Sequence, residues 1–388
     1  VSTRILGSDP FGSPSAPGAS VAPGASVAPD PANGPGPGLP DPAGLVCPAP
    51  IPELARVLLG HGSGGQLSAA LMREVIGPAL AAAAPGGPLN DAAVVEVAGQ
   101  RLAFTTDSFV VSPLEFPGGD IGELAVNGTV NDLAMMGAQP LALSLAYVIE
   151  EGLPIEELRK VTESVARAAV RAGVRIVTAD TKVVGRGAAD GLFVNTAGIG
   201  LVAPGVAVSA DRASLGDALI LSGPIGLHGV AIMSVREGLD FEVEIASDTQ
   251  PLNGLVAAIV SACPDVRVLR DPTRGGLASA LNEIASASGV GIDLREEAIP
   301  IPGPVHAACE MLGLDPLHVA NEGKLVAVVP ASAVDAVLAA MRAVPEGAEA
   351  VEIGRIVADH PGMVTMRTIV GSQRIVDMLV GEQLPRIC

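Results

Sequence analysis

FTTDSFVVSPLEFPGGDIGELAVNGTVNDLAMMGA, residues 104–138, contains the pattern that decides the fold. Its start continues the apolar run from Leu102 into a buried strand, 102–106, that stops at Asp107. Its second part, 121–136, has the density of apolar and small residues of a packed helix, closed by Gly137. Downstream, Ile155, Leu158, Val161, Val165 and Ala168 recur at helical spacing, and Gly173 ends that helix. The strand VRIVTA follows and delivers Asp180-Thr181-Lys182 at its end. Strands alternating with helices predict a mixed α/β (α+β) layer structure, a sheet backed by helices.

The pattern repeats from about Val206. A strand is expected over 218–222, then the turn Ser222-Gly223-Pro224 and a helix to about Glu237. A short strand at 266–269 precedes Asp271-Pro272-Thr273-Arg274-Gly275-Gly276, and a helix with Leu277, Leu281 and Ile284 on one face follows. Further strands are expected at 325–329, 353–357 and 364–370, with a helix over 332–343. This organisation divides the chain into an extension (1–47), a first domain (48–205), a second domain (206–375) and a tail (376–388). The extension is rich in Pro, Gly, Ala and Ser, and repeats PGASVA at 17–22 and 23–28. Such a segment cannot offset its ordering entropy by apolar burial and is expected to be disordered, with Cys47 incidental at its edge.

Aromatic residues make up only 2% of the chain, so the core must be built from small branched side chains, which suits strand-rich layers. A formal net charge of -19 argues against nucleic acid as partner and is compatible with sites that hold cations. The four cysteines, Cys47, Cys263, Cys309 and Cys388, show no CxxC spacing and fit a reducing, cytoplasmic compartment. The longest uncharged stretch beyond the extension, Gly191–Ala210, contains four glycines, Asn195 and Pro204 and is a poor membrane span.

Five features carry candidate chemistry. In His61-Gly62-Ser63-Gly64-Gly65 the glycines allow backbone N–H groups to approach an anion, although a plain turn explains them equally. Asp91, Asp107, Asp132 and Asp180 stand near element ends. Singly each fits a cap or a turn, and together they fit a cage for a hard cation. Asp271–Gly276 opens a helix, where free N–H groups beside Arg274 favour an anion. Lys182 and Glu322 offer an acid–base pair from separate halves, or surface ion pairs. The last residue, Cys388, is a thiol on a tail, able to accept an acyl-type group and pass it on.

Taken in order, HGSGG (61–65), residues 104–138, DTKVV (180–184), DPTRGG (271–276), GLDPLHVANEGK (313–324) and PRIC (385–388) resemble the HypE family of hydrogenase maturation proteins, within the aminoimidazole ribotide synthetase-like superfamily. The resemblance runs from about residue 51 to 388. It implies two sheet-and-helix halves, with the first halves of two subunits pairing in a homodimer. It implies ATP and Mg²⁺ as cofactors. The implied reaction is dehydration of a carbamoylated Cys388 to a thiocyanate, whose cyano group goes to the iron of nickel–iron hydrogenase. Implied partners are a HypF-type carbamoyltransferase and an iron-carrying HypC–HypD-type complex, with no nucleic acid and no membrane.

By the same resemblance, Cys388, Lys182 and Glu322 are expected to be catalytic. His61, Gly62, Ser63, Gly64, Gly65, Asp107, Asn127, Asn131, Asp180, Asp271, Thr273, Arg274 and Gly275 would hold the nucleotide, and Asp91, Asp107, Asp132 and Asp180 the metal. Ala179 departs from an expected glycine. The rival readings are another ATP-dependent synthetase of the superfamily, acting on a small molecule, and a non-catalytic nucleotide-binding scaffold. PRIC at the end and the lack of a cysteine in the HGSGG loop oppose the first. Presence of the acidic candidates with Lys182 and Glu322 opposes the second.

Overall fold

Two sheets dominate the computed structural model, which describes residues 56–83, 89–238, 245–381 and 387–388. The extension 1–47 with Cys47, and Pro385-Arg386 of the tail motif, lie outside the described residues. The first sheet contains β1 (Ala93–Val97), β2 (Gln100–Phe109), β3 (Ala138–Glu150), β4 (Arg175–Val184) and β5 (Leu192–Val202), in the order β1-β2-β5-β3-β4. Only β3 and β4 run parallel, joined through helix α2 (Ile155–Ala172). Helix α1 (Ile121–Met135) crosses the same face of the sheet. The central strands β3 and β5 extend the expectation from sequence, which read neither of them.

Helix α1 starts where the Asp120 carboxylate accepts hydrogen bonds from the N–H groups of Gly122 (2.7 Å) and Glu123 (3.0 Å). Nearly all of its residues are buried, because the sheet, α2 and the second half surround it. Leu124 and Leu133 are fully buried, and truncating either to Ala should cost about 2–5 kcal/mol. Helix α2 shows the one-sided pattern read from its sequence, with Val161, Val165 and Ala168 inward and Gly173 closing it at φ 71°.

The other face of the first sheet is open. Cross-strand register puts Phe104 opposite Ile199, and Asp180 and Lys182 opposite Ala146 and Val148. The residues paired with these through β5, Asn195 and Phe193, continue the same face. Phe104 and Ile199 are exposed there, and β4 forms an unpaired, largely exposed edge.

The second sheet has the order β12-β11-β8-β10-β6-β9-β7. Its strands are β6 (Ala218–Leu221), β7 (Val268–Arg270), β8 (Gly291–Arg295), β9 (Val326–Val329), β10 (Val351–Val357), β11 (Val364–Arg367) and β12 (Gln373–Ile375). Its central strands are buried on both faces and read as apolar runs. Leu219, Leu221, Val326 and Val328 pack with Leu277, Leu281 and Ile284 of α5 (Gly276–Ser288). Ile220, Ala327 and Val329 point the other way, into the core that includes α4 (Asn253–Ala262) and α7 (Val334–Arg342). Helices α3 (Leu227–Arg236) and α6 (Gly303–Leu312) complete the half.

Candidate active site

A cleft of about 520 Å³ opens where the end of β2, helix α1, the 270–276 loop and the start of α5 converge. Alternation along β2 sends Thr105 and Asp107 into it. Helix α1 contributes Asp132 and Gly128, and Gly128 is small because a Cβ there would meet the Phe109 ring at 2.8 Å. The 270–276 loop contributes Arg270, Asp271, Thr273 and Arg274. Gly276 takes φ 63°, and a side chain on it would strike the Leu317 carbonyl oxygen at 2.5 Å, so this tight helix start needs glycine.

Carboxylate oxygens of Asp91, Asp132 and Asp271 lie within 4.8 Å of one another. The Thr105 hydroxyl stands 2.8 Å from Asp132 Oδ2 and 3.0 Å from the Asp91 carbonyl oxygen. Burial, reinforced by the neighbouring acids, drives Asp132 well above the usual carboxylate range and Asp271 up to about 8. Asp91 and Asp107 are also raised by burial, against the opposing charges of Arg270 and Arg274 respectively. Arg270 supplies part of the missing positive charge, with Nη1 3.3 Å from Asp91 Oδ1 and a second contact to Glu283. Such a set of crowded hard oxygen donors could hold a hard divalent cation such as Mg²⁺.

Glu322 enters the cleft from the second half with a nearly buried side chain, and its Oε1 has no hydrogen-bond partner among the described residues. Burial first, then the charges of Asp271 and Asp248, raise its proton affinity strongly. Its backbone is fixed on both sides. The N–H donates to Asp248 Oδ1 (3.1 Å) and the carbonyl accepts from Asn131 Nδ2 (3.4 Å). Lys324 Nζ stands 3.6 Å from Asp248 Oδ2 beneath it, a buried pair.

Cys388 lines the same cleft. Its carbonyl oxygen accepts from the Val110 N–H (3.2 Å), and Ile387 before it is buried at 4% exposure. Burial pushes the thiol far up, Arg274 opposes this, and Glu322 reinforces it, so the inserted side chain is a neutral thiol. Upstream, the tail is tied by hydrogen bonds from the Gln66 N–H to the Leu379 carbonyl (2.8 Å) and from Gln66 Nε2 to that of Met378 (3.0 Å).

Several expected assignments need correction. Asp180 and Lys182 do not reach this cleft within the chain. Their register turns them to the open face, where they form an exposed ion pair with Nζ 2.7 Å from Oδ2. Asp271 takes the place in the acidic cluster that sequence gave to Asp180. Asn127 and Asn131 also point away from the cleft. Their amides hold the second half, through the Thr249 hydroxyl (3.2 Å) and through Gln250 and Leu252 (3.1 and 2.7 Å). In the glycine loop, His61, Gly62 and Gly64 line the cleft, while Ser63, Gly65 and Gly275 lie behind it, against Leu379 and Ile387 of the tail. Thr105, Arg270 and Glu283 were missed. Arg270 directly precedes Asp271 at a strand end, which was the available signal.

The profile of the AIR synthase related protein N-terminal domain matches residues 89–202, and that of its C-terminal domain residues 215–366. The carbamoyl dehydratase HypE of Azotobacter vinelandii is 55% identical over 328 residues, 84% of this chain and 96% of that protein. The chain belongs to the HypE family. A crystal structure of a HypE–HypF complex shares 47% identity at TM-score 0.75, covering 80% of this chain and 100% of that one. A crystal structure of HypE in complex with ATP shares 45% identity at TM-score 0.72, covering 86% and 100%. The two-half fold is that of HypE structures. Among the described residues no helix is long and apolar enough to cross a membrane.

Proposed function

We propose that this protein is an ATP-dependent carbamoyl dehydratase whose substrate is its own carbamoylated Cys388, converted to the thiocyanate that supplies cyanide to nickel–iron hydrogenase. The observation that carries this reading is a cysteine that lines a cleft of half-buried and buried carboxylates with Glu322, whose Oε1 has no hydrogen-bond partner among the described residues. A HypF-type carbamoyltransferase loads the thiol, and an iron-carrying HypC–HypD-type complex takes the cyano group. The setting proposed is the cytoplasm.

The chemistry balances as follows. The thiocarboxamide oxygen takes the terminal phosphoryl group of ATP, one N–H proton leaves, and loss of phosphate with the second N–H proton gives the nitrile. The sum is removal of one water, carried off by ATP hydrolysis. Glu322 is the base for an N–H proton. Its raised proton affinity suits a weakly acidic donor, and its clamped backbone fixes where the carboxylate stands. Asp91, Asp132 and Asp271, with Asp107 beside them, would hold Mg²⁺, which neutralises phosphate charge when bound. Thr273 and Arg274, which line the cleft, and the N–H groups of the helix start after them would bind phosphate.

Lys182 joins this site only in a homodimer. The open apolar face of the first sheet and the exposed edge β4 support that pairing, in which Lys182 of one copy serves the cleft of the other. Intact-mass spectrometry with a carbamoyl donor enzyme tests the function. The chain should gain one carbamoyl group and then lose one water when ATP is added. Loss of the whole carbamoyl group, with the free thiol restored, would refute dehydration.

A further inference from the structure

We propose that His228 is a positioning residue that latches the tail in the cleft by binding the backbone carbonyl of Ile387. The inference rests on the dehydratase reading for its catalytic consequence, though the latch itself does not. His228 was not among the residues singled out from sequence.

His228 lies in the first turn of α3 and is completely buried. Its Nε2 is 2.5 Å from the Ile387 carbonyl oxygen, and its Nδ1 is 2.8 Å from Ser247 Oγ. A carbonyl only accepts, so Nε2 carries the hydrogen. The Ser247 oxygen already accepts from the Thr249 N–H (3.1 Å), leaving the Ser247 hydroxyl to donate to Nδ1. The whole chain is thus satisfied by one neutral tautomer, and burial lowers the ring's proton affinity in the same sense. The Phe116 ring meets the imidazole edge-on at 5.5 Å and fixes its plane.

The latch shares a frame with the proposed base. The Gly226 N–H at the start of α3 donates to Asn321 Oδ1 (2.6 Å), and the Gly229 N–H donates to the Ala320 carbonyl (3.1 Å). Both acceptors belong to the segment that presents Glu322. Holding the carbonyl of residue 387 from this frame sets where the next side chain, Cys388, stands relative to Glu322. When the tail leaves, a buried N–H donor loses its partner, and that loss is a restoring force for insertion.

The test uses the full chain with His228→Phe, which keeps an aromatic ring and removes the donor, and His228→Gln, which returns an N–H near Nε2. Alkylation of each cysteine by iodoacetamide is followed by peptide mass spectrometry, alongside single-turnover dehydration of carbamoylated Cys388. His228→Phe should alkylate at Cys388 about tenfold faster and dehydrate about tenfold slower, the size expected for one lost hydrogen bond to a buried group. Buried Cys263 and Cys309 should stay protected, and His228→Gln should recover most of both effects. Unchanged Cys388 protection in His228→Phe overturns the latch, and lost protection with normal dehydration overturns the positioning role. If His228→Phe misfolds, exposing Cys263 and Cys309, wild-type chain labelled with ¹⁵N-histidine decides. A slowly exchanging Nε2–H at His228 should be present, and it should be lost when Ile387 and Cys388 are deleted. Its persistence after deletion overturns the proposal. Absence of dehydration in wild type would refute the functional reading while leaving the alkylation result to stand for the latch.

Discussion

Asp132 and Asp180 come from the same half of the chain, yet one ends half-buried among carboxylates and the other exposed beside Lys182. The difference teaches that an acidic residue's role follows from its desolvation rather than its place at an element end. In the cleft, burial raises Asp91, Asp132 and Asp271, repulsion from neighbouring acids adds to this at the last two, and a cation bound there would relieve it. On the open face, Asp180 is held below the usual carboxylate range, first by its hydrogen bond from Lys182. A solvent-exposed ion pair of this kind contributes little to stability.

The comparison breaks most readily at Asp132. Asp132→Asn should weaken Mg²⁺–ATP binding by about 10–100-fold, the scale for damaging a metal-supporting group. Lys182→Ala should leave that affinity unchanged. Calorimetric titration measures both, and equal losses would erase the distinction drawn here.

Mixing variants sharpens the comparison next. Lys182→Ala and Glu322→Gln should each be defective in dehydration alone. Random reassortment in a two-fold dimer should restore about a quarter of wild-type turnover, because half the dimers then hold one intact site of two. Failure to recover any activity on mixing, with dimer exchange verified, would mean that Lys182 does not act across subunits.

A smaller effect concerns pH. Asp271 is raised to about 8 in the folded protein, and Asp132 is raised as well, so the fold keeps protons that the unfolded chain releases near pH 4. Stability of the metal-free protein from these groups should therefore be full at low pH and be lost as pH rises towards 8. Differential scanning calorimetry in chelator should show Tm falling steadily as pH rises from about 5 to about 8. Asp271→Asn should flatten the slope. A slope unchanged in that variant would mean Asp271 titrates normally.

The smallest effect expected is at the tail. Because burial raises the Cys388 thiol, insertion favours the protonated form and should weaken as pH rises above the ordinary thiol value of about 8.5. Proteolysis of the tail should accelerate a few-fold over that range for the free thiol and not for the carbamoylated one, which cannot ionise. Equal pH dependence of the two forms would remove the thiol as the cause.

Much of the fold was legible because helical spacing is strong where one face is polar. Helix α2 runs over the residues its pattern predicts, Ile155–Ala172, and α1 ends one residue short of expectation. Strands β3 and β5 were not legible, although they form the middle of the first sheet. In β5 the reason lies at Gly198, where a Cβ would meet Leu143 at 2.7 Å and both Leu133 and Thr129 at 2.9 Å. Helix α1 presses so closely on the sheet that the strand must use a residue of low strand propensity. In the site, cleft acids were readable as a type but not as a set. Strand register turned Asp180 away, and the fold of the second half brought in Asp271. His228 was invisible because its partner is a backbone carbonyl 159 positions away.

The central claim is that Cys388, inserted beside Glu322, is the site of dehydration. Single-turnover mass spectrometry of carbamoylated Glu322→Gln with ATP tests it most directly. Loss of a positioned base should slow thiocyanate formation by about 10²–10⁴-fold, with the carbamoyl group accumulating on Cys388. Thiocyanate formed at the wild-type rate would contradict the account.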